Sequence, residues 1–239
     1  HSNSRLHESQ EAYLRSITWL QISDIHMRSC DEWSQDVILR AISESIKRAH
    51  DKDGAPDFIL ATGDLAFAGR REEDKLVGHF LDAISAASGV PKERIFCVPG
   101  NHDVNRDRQR LCFRGARDAL TSPNVVDPVL APDDNLATLA QRQQAYREFQ
   151  ESYFVGQHRT VTPDGLAYVS NLTIDDVVIA VVGLNSAWLA EGGDEDHGKL
   201  LIGERQVINA FDAAAACNPH VVVAMAHHPL HHLRDFDRN

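Results

Sequence analysis

Four cysteines among 239 residues leave little room for a disulfide framework. Cys30, Cys97, Cys112 and Cys217 show no Cys-x-x-Cys spacing, and Cys97 sits inside an apolar, strand-like run. That usage favours a reduced, cytoplasmic protein over a stapled, secreted one. No apolar run approaches the roughly 20 residues of a membrane span, and the N-terminus lacks the charged-then-apolar pattern of a signal peptide. Basic charge is scarce: 24 Lys and Arg stand against 35 Asp and Glu, a net charge of −11. Broad electrostatic wrapping of nucleic acid is therefore disfavoured, although a local basic patch can still engage a phosphate. Repeats and low-complexity tracts are missing too. An initial methionine is absent; His1-Ser2-Asn3-Ser4 reads as a cloning scar, residues 1–16 as an extension or tag remnant, and 17–239 as one domain.

What is present alternates strand and helix. Apolar runs at 19–22, 58–61, 95–98, 166–174, 177–184 and 221–225 read as strands, with Asp175-Asp176 as a hairpin turn between the fourth and fifth. Val37, Ile38, Ala41, Ile42, Ser45, Ile46 and Ala49 recur at helical spacing, with Asp31 or Ser34 as the cap. A second helix carries Leu76, Phe80, Leu81, Ile84 and Ala87 and ends at Gly89 and Pro91; a third covers about 204–216. A βαβαβ opening predicts an α/β protein with parallel first strands and function at their carboxyl ends. Residues 104–160 break the rhythm and read as a helical insertion over that edge.

Four apolar runs end in metal-binding side chains: Asp24-Ile25-His26, Gly63-Asp64, Gly100-Asn101-His102-Asp103 and His227-His228-Pro229. Asp-x-His and Gly-Asp are each common, and Gly-Asp usually marks a turn. Gly-Asn-His-Asp is more specific, because a turn needs neither the histidine nor the final aspartate. All four in order, each after a strand, point to one site built of oxygen and nitrogen donors. Such a set suits manganese, iron or zinc and does not choose among them.

Hydrolysing a phosphate ester at neutral pH needs a strong nucleophile and neutralised non-bridging oxygens. Two divalent ions about 3.5–4 Å apart supply both, given one carboxylate able to bridge them. Asp64 is the natural bridge, since Gly63 before it permits close approach. Asp24 and His26 stand two residues apart, so on an extended strand they share a face and bind one ion together. Asn101 and His227 would serve the other.

In order and wording these motifs resemble the calcineurin-like metallophosphoesterases, from residue 18 to residue 230. The resemblance implies a sandwich of two mixed β-sheets flanked by helices, two divalent ions, and hydrolysis by a dinuclear-metal-activated hydroxide. It assigns Asp24 and His26 to the first metal, Asp64 to the bridge, Asn101 to the second, and His102 to the substrate phosphate and the leaving oxygen. It also selects His227 over His228. The residue after Asn101-His102 is Asp103, and no aspartate-arginine pair follows Gly63-Asp64, so the chain looks like the bacterial phosphodiesterase-type branch. The family's last motif, Gly-His-x-His, does not occur before Asn239, which implies a truncated catalytic module of a larger protein with reduced metal occupancy.

Substrate identity is less legible. On a helix Arg106, Arg110, Arg114 and Arg117 would share a face and could grip a second phosphate or a nucleotide; a solvated face balanced by Asp107 and Asp118 is the plainer alternative. Asn185-Ser186 can line the cleft, as can His197 more weakly, while His231 and His232 read as surface residues. The expected partner is a phosphate ester, with a nucleotide or nucleic-acid end among the options; oligomeric state stays open. The rival to an enzyme is a phosphate-binding or regulatory module with an incomplete metal site.

Overall fold

Alternate residues of one short strand point into two different cores, and that sets the architecture. In β2 (Phe58–Ala61), all four residues are buried. Phe58 and Leu60 join Phe96, Val98, Tyr168, Leu172, Ile179, Val181 and Met225 between two sheets. Ile59 and Ala61 face the other way, onto helices. A strand covered on both faces must be apolar throughout, as the period-two side-chain geometry requires.

The computed structural model describes residues 16–29, 32–108, 110–131 and 134–238, with 32–35, 110 and 134 as backbone only. Residues 1–15, Cys30 and Asp31, and the side chains of Ser34 and Arg110, therefore lie outside the description. The first sheet is β1 (Trp19–Ile22), β2 and β3 (Ile95–Cys97), parallel and in that order. The second is β4 (Arg159–Val161), β5 (Tyr168–Ile174), β6 (Val177–Gly183) and β7 (Val221–Met225). Its first three strands are antiparallel, and β7 joins β6 in parallel. Only the second sheet is mixed, which corrects the expectation of two mixed sheets: each link in the first runs through a helix, α1 (Glu32–Asp53) or α2 (Arg71–Ser88).

α2 lays Val77, Phe80, Leu81 and Ile84 on the first sheet and stops at left-handed Gly89, whose N–H donates to the Ser85 carbonyl at 3.0 Å. On α1 the inward stripe is Leu39, Ile42 and Ile46, whereas Val37 and Ile38 are exposed. The inward stripe is thus offset from the predicted face at its start, because Leu39, and not the apolar pair 37–38, packs against the core.

The stretch 104–160 divides. α3 (Arg110–Ala119), α4 (Pro123–Val129) and α5 (Asp134–Ala140) close a separate core with Trp188, Leu189 and Leu201. α6 (Gln144–Tyr153) instead puts Phe149 against the α2 core, with Phe154 just beyond it, and β4 enters the second sheet. β4 escaped sequence reading because three residues, one half-buried and two exposed, give no alternation. α7 (Glu204–Ala215) covers the far face of the second sheet with Ala210 and Ala214.

Candidate metal centre

The four motifs meet where β1, β2, β3 and β7 end. Beyond Ile22 the chain leaves the strand but stays beside the loop after β2: Asp24 N donates to Gly63 O at 3.1 Å, His26 N to Asp64 O at 2.9 Å and Met27 N to Leu65 O at 2.8 Å. This continues the parallel ladder with a different backbone. Asp24, His26 and Asp64 all have left-handed φ values of 59°, 52° and 54°. Non-glycine residues adopt that region at a cost, and such residues cluster at functional sites. The shared-strand-face argument for Asp24 and His26 is therefore corrected: loop geometry aims them.

Asp64, only 3 % exposed, stands at the centre. Its Oδ1 lies 3.6 Å from His227 Nε2 and accepts the His102 backbone N–H at 2.7 Å, while Oδ2 lies 4.0 Å from His26 Nε2. Two groups of donor atoms close enough to hold an ion share it: His26, Asp64 and His102 in one, and Asp24, Asp64 and His227 in the other. Asp24 thus stands with His227, although its Oδ1 is also 4.0 Å from His26 Nε2. Close approach makes the glycines necessary. A Cβ on Gly100 would sit 2.1 Å from Asp64 Oδ1, and one on Gly63 2.6 Å from His227 Nδ1.

Backbone carbonyls fix the imidazoles. His227 Nδ1 donates to Thr62 O at 2.8 Å, which leaves Nε2 toward Asp64. His102 Nδ1 donates to Phe67 O at 2.6 Å, which leaves its Nε2 for the cleft. Such outer contacts set tautomer and ring orientation in metal sites. Burial holds the His26 pKa below its ordinary value, with His102 and Arg28 acting the same way against the pull of Asp64 and Asp24. A neutral imidazole keeps a lone pair to offer.

Asn101, on the turn after β3, is oriented by a residue the sequence reading set aside. His228 Nε2 donates to Asn101 Oδ1 at 3.3 Å, Ser186 Oγ donates to His228 Nδ1 at 2.9 Å, and the same oxygen accepts the His228 N–H at 3.1 Å. Burial, then His227 and His232, push the His228 pKa down to about 3, so this ring is neutral. Asp103 is a clamp: its carboxylate accepts N–H groups of Gly100 and Ala66, both at 2.8 Å, tying the third motif to the second. Burial pushes its carboxyl up to about 7 in spite of these bonds.

The arginines separate. Arg106 reaches the site, its Nη2 3.2 Å from His102 Nδ1. Arg114 bonds Glu191 at 2.7 Å and Arg117 bonds Asp196 at 3.1 Å, so their counter-ions come from the acidic loop and not from Asp107 or, for Arg117, mainly from Asp118 at 3.9 Å. Asn185 is buried and exchanges two side-chain hydrogen bonds with Gln143, at 2.8 and 3.3 Å. His197, His231 and His232 gather with ring centroids 4.7–5.5 Å apart, and His232 lies 5.9 Å from His228.

The profile of the calcineurin-like phosphoesterases matches residues 17–238. The chain belongs to that family. A relative in Bacillus subtilis (strain 168), the uncharacterized metallophosphoesterase-like protein YydB, is 32% identical over 142 residues. The match covers 57% of this chain and 28% of the relative, so the chain spans well under half of that protein's length. Metal-dependent phosphoester hydrolysis is the general activity that membership supports. No helix among the described residues is long and apolar enough to cross a membrane.

Proposed function

We propose that this phosphoesterase domain hydrolyses phosphate esters at a pair of divalent ions that share Asp64. The observation that carries the reading is the position of that carboxylate, with one oxygen toward His227 and the other toward His26. Asp24, His26, Asp64, Asn101 and His227 supply carboxylate, imidazole and amide donors, a set that fits manganese, iron or zinc. When bound, the ions supply charge neutralisation on the phosphoryl oxygens and lower the pKa of water.

The chain's own residues then divide the work. Asp64 holds both halves of the site together, and its accepted bond from His102 N fixes the third loop against it. His102, anchored through Nδ1 on Phe67 O, carries a proton on Nε2 to the leaving oxygen. His228 and Ser186 hold Asn101 in register. Substrates are phosphodiesters or phosphomonoesters, a nucleotide or nucleic-acid end among them.

His102→Ala, assayed on esters of graded leaving-group pKa, tests the assignment. The variant keeps its metal and loses about 10²–10⁴ in turnover on poor leaving groups, the range of general acid catalysis. On p-nitrophenyl esters, whose leaving group needs little protonation, the loss shrinks. Equal losses on both would remove the acid role. A wild-type protein that binds phosphate yet turns over no ester would favour a regulatory module instead.

A further inference from the structure

Two guanidinium groups beside the centre have no task in the reaction just described. Arg28, exposed and two residues past His26, lies over the Phe67 ring with Cζ 3.7 Å from the centroid. That ring stands 5.3 Å from the His102 ring and 6.3 Å from that of His26. Arg106 approaches the same imidazole at Nδ1, but that nitrogen already gives its proton to Phe67 O. The Arg106 N–H groups are therefore not satisfied there.

The position of Arg106 is nonetheless built. Its guanidinium crosses Gly192, where a Cβ would sit 2.1 Å from Nη1. The loop carrying Gly192 is anchored on either side by Glu191 with Arg142 and Arg114, and by Asp196 with Arg117. Neither Arg28 nor Arg106 has a carboxylate partner among the described residues, in a chain whose acids outnumber its bases by 35 to 24. Arg114, Arg117 and Arg142, close by, all have one. Planar cations fixed on an aromatic face and across a glycine, with donors to spare, match the geometry of a phosphoryl group.

We propose that Arg28 and Arg106 form a second anion site beside the metal centre, which holds a further phosphoryl group and selects esters carrying two phosphates over those carrying one. The assignment rests on the reading that the scissile phosphate sits beside His102. It names the substrate class within that reading: nucleotides or nucleic-acid ends with a neighbouring phosphate.

Calorimetric titration of the purified protein with adenosine 5′-monophosphate, adenosine 5′-diphosphate and adenosine 3′,5′-bisphosphate tests it without turnover. At least one two-phosphate ligand binds about tenfold more tightly than the monophosphate, as expected for an added bidentate contact. Arg28→Gln and Arg106→Gln each bring that ratio to within about threefold of one. Arg40→Gln, which removes a guanidinium paired with Asp36 on α1, keeps the wild-type ratio. A wild-type ratio near one for both ligands, or a ratio that survives both substitutions, overturns the proposal. Failure of the hydrolytic reading is a separate result: no ester would be cleaved, whatever the binding ratio.

Discussion

Two charged clusters lie at the same edge of this fold and differ in how their acids are matched. In the acidic loop every buried carboxylate has a guanidinium: Glu191 takes Arg142 and Arg114, and Asp196 takes Arg117. Arg142 is fully buried, stacked over Phe113 at 3.8 Å, and joins the helical stretch to the loop after β6. At the candidate metal centre Asp64 is as deeply buried but is ringed by imidazoles and backbone N–H groups. A buried ion pair closes its own charge balance and serves architecture. A buried carboxylate facing lone pairs leaves negative charge and donor atoms for a cation to complete.

The largest test of that contrast is Asp64→Asn. Removal of the shared carboxylate should bring stoichiometric metal in elemental analysis close to zero and abolish turnover of every ester, whatever its leaving group. Unchanged metal content and activity would erase the distinction between the clusters. Arg142→Met should do the opposite. Breaking one side of a buried pair costs about 3–5 kcal/mol of stability, read from urea unfolding, while metal per folded protein stays at the wild-type value.

Acid tests the centre in another way. His228 has a folded pKa near 3 against an ordinary 6.5. Its contribution is fully present above pH 6.5 and is lost as pH falls through about 3, by a few kcal/mol in total. His228→Gln should flatten the stability profile between those limits; an unchanged acid limb would show that the ring is not held neutral. The smallest effect belongs to a site outside both clusters. Burial, then Glu73 and Glu148, push Asp74 up to about 6. Stability present below pH 3.8 is lost as pH rises through 6, so Asp74→Asn should match wild type at pH 4 and exceed it at pH 8. After screening at this partly exposed position the gain is about 1 kcal/mol.

Every strand but β4, the order of the motifs and the residue types that those motifs bring together were legible in the chain itself. Apolar runs with a period of two, or unbroken where both faces are covered, are local signals, and Gly-Asn-His-Asp carries side chains no turn requires. Other features had no local signal. The carbonyls of Thr62 and Phe67 that orient His227 and His102 are backbone groups, identical at every residue and selected only by where the loops run. Three arginines at helical spacing look alike in sequence, yet Arg106 meets His102 whereas Arg114 and Arg117 meet carboxylates 77 and 79 residues away. His227 and His228 are adjacent and chemically equal, but one points at Asp64 and the other is buried behind Asn101. Sequence alone determined which chemistry is available, because residue type sets the donor. Tertiary structure decided which copy of each donor is used, because burial and the nearest opposite charge depend on chain segments distant in sequence.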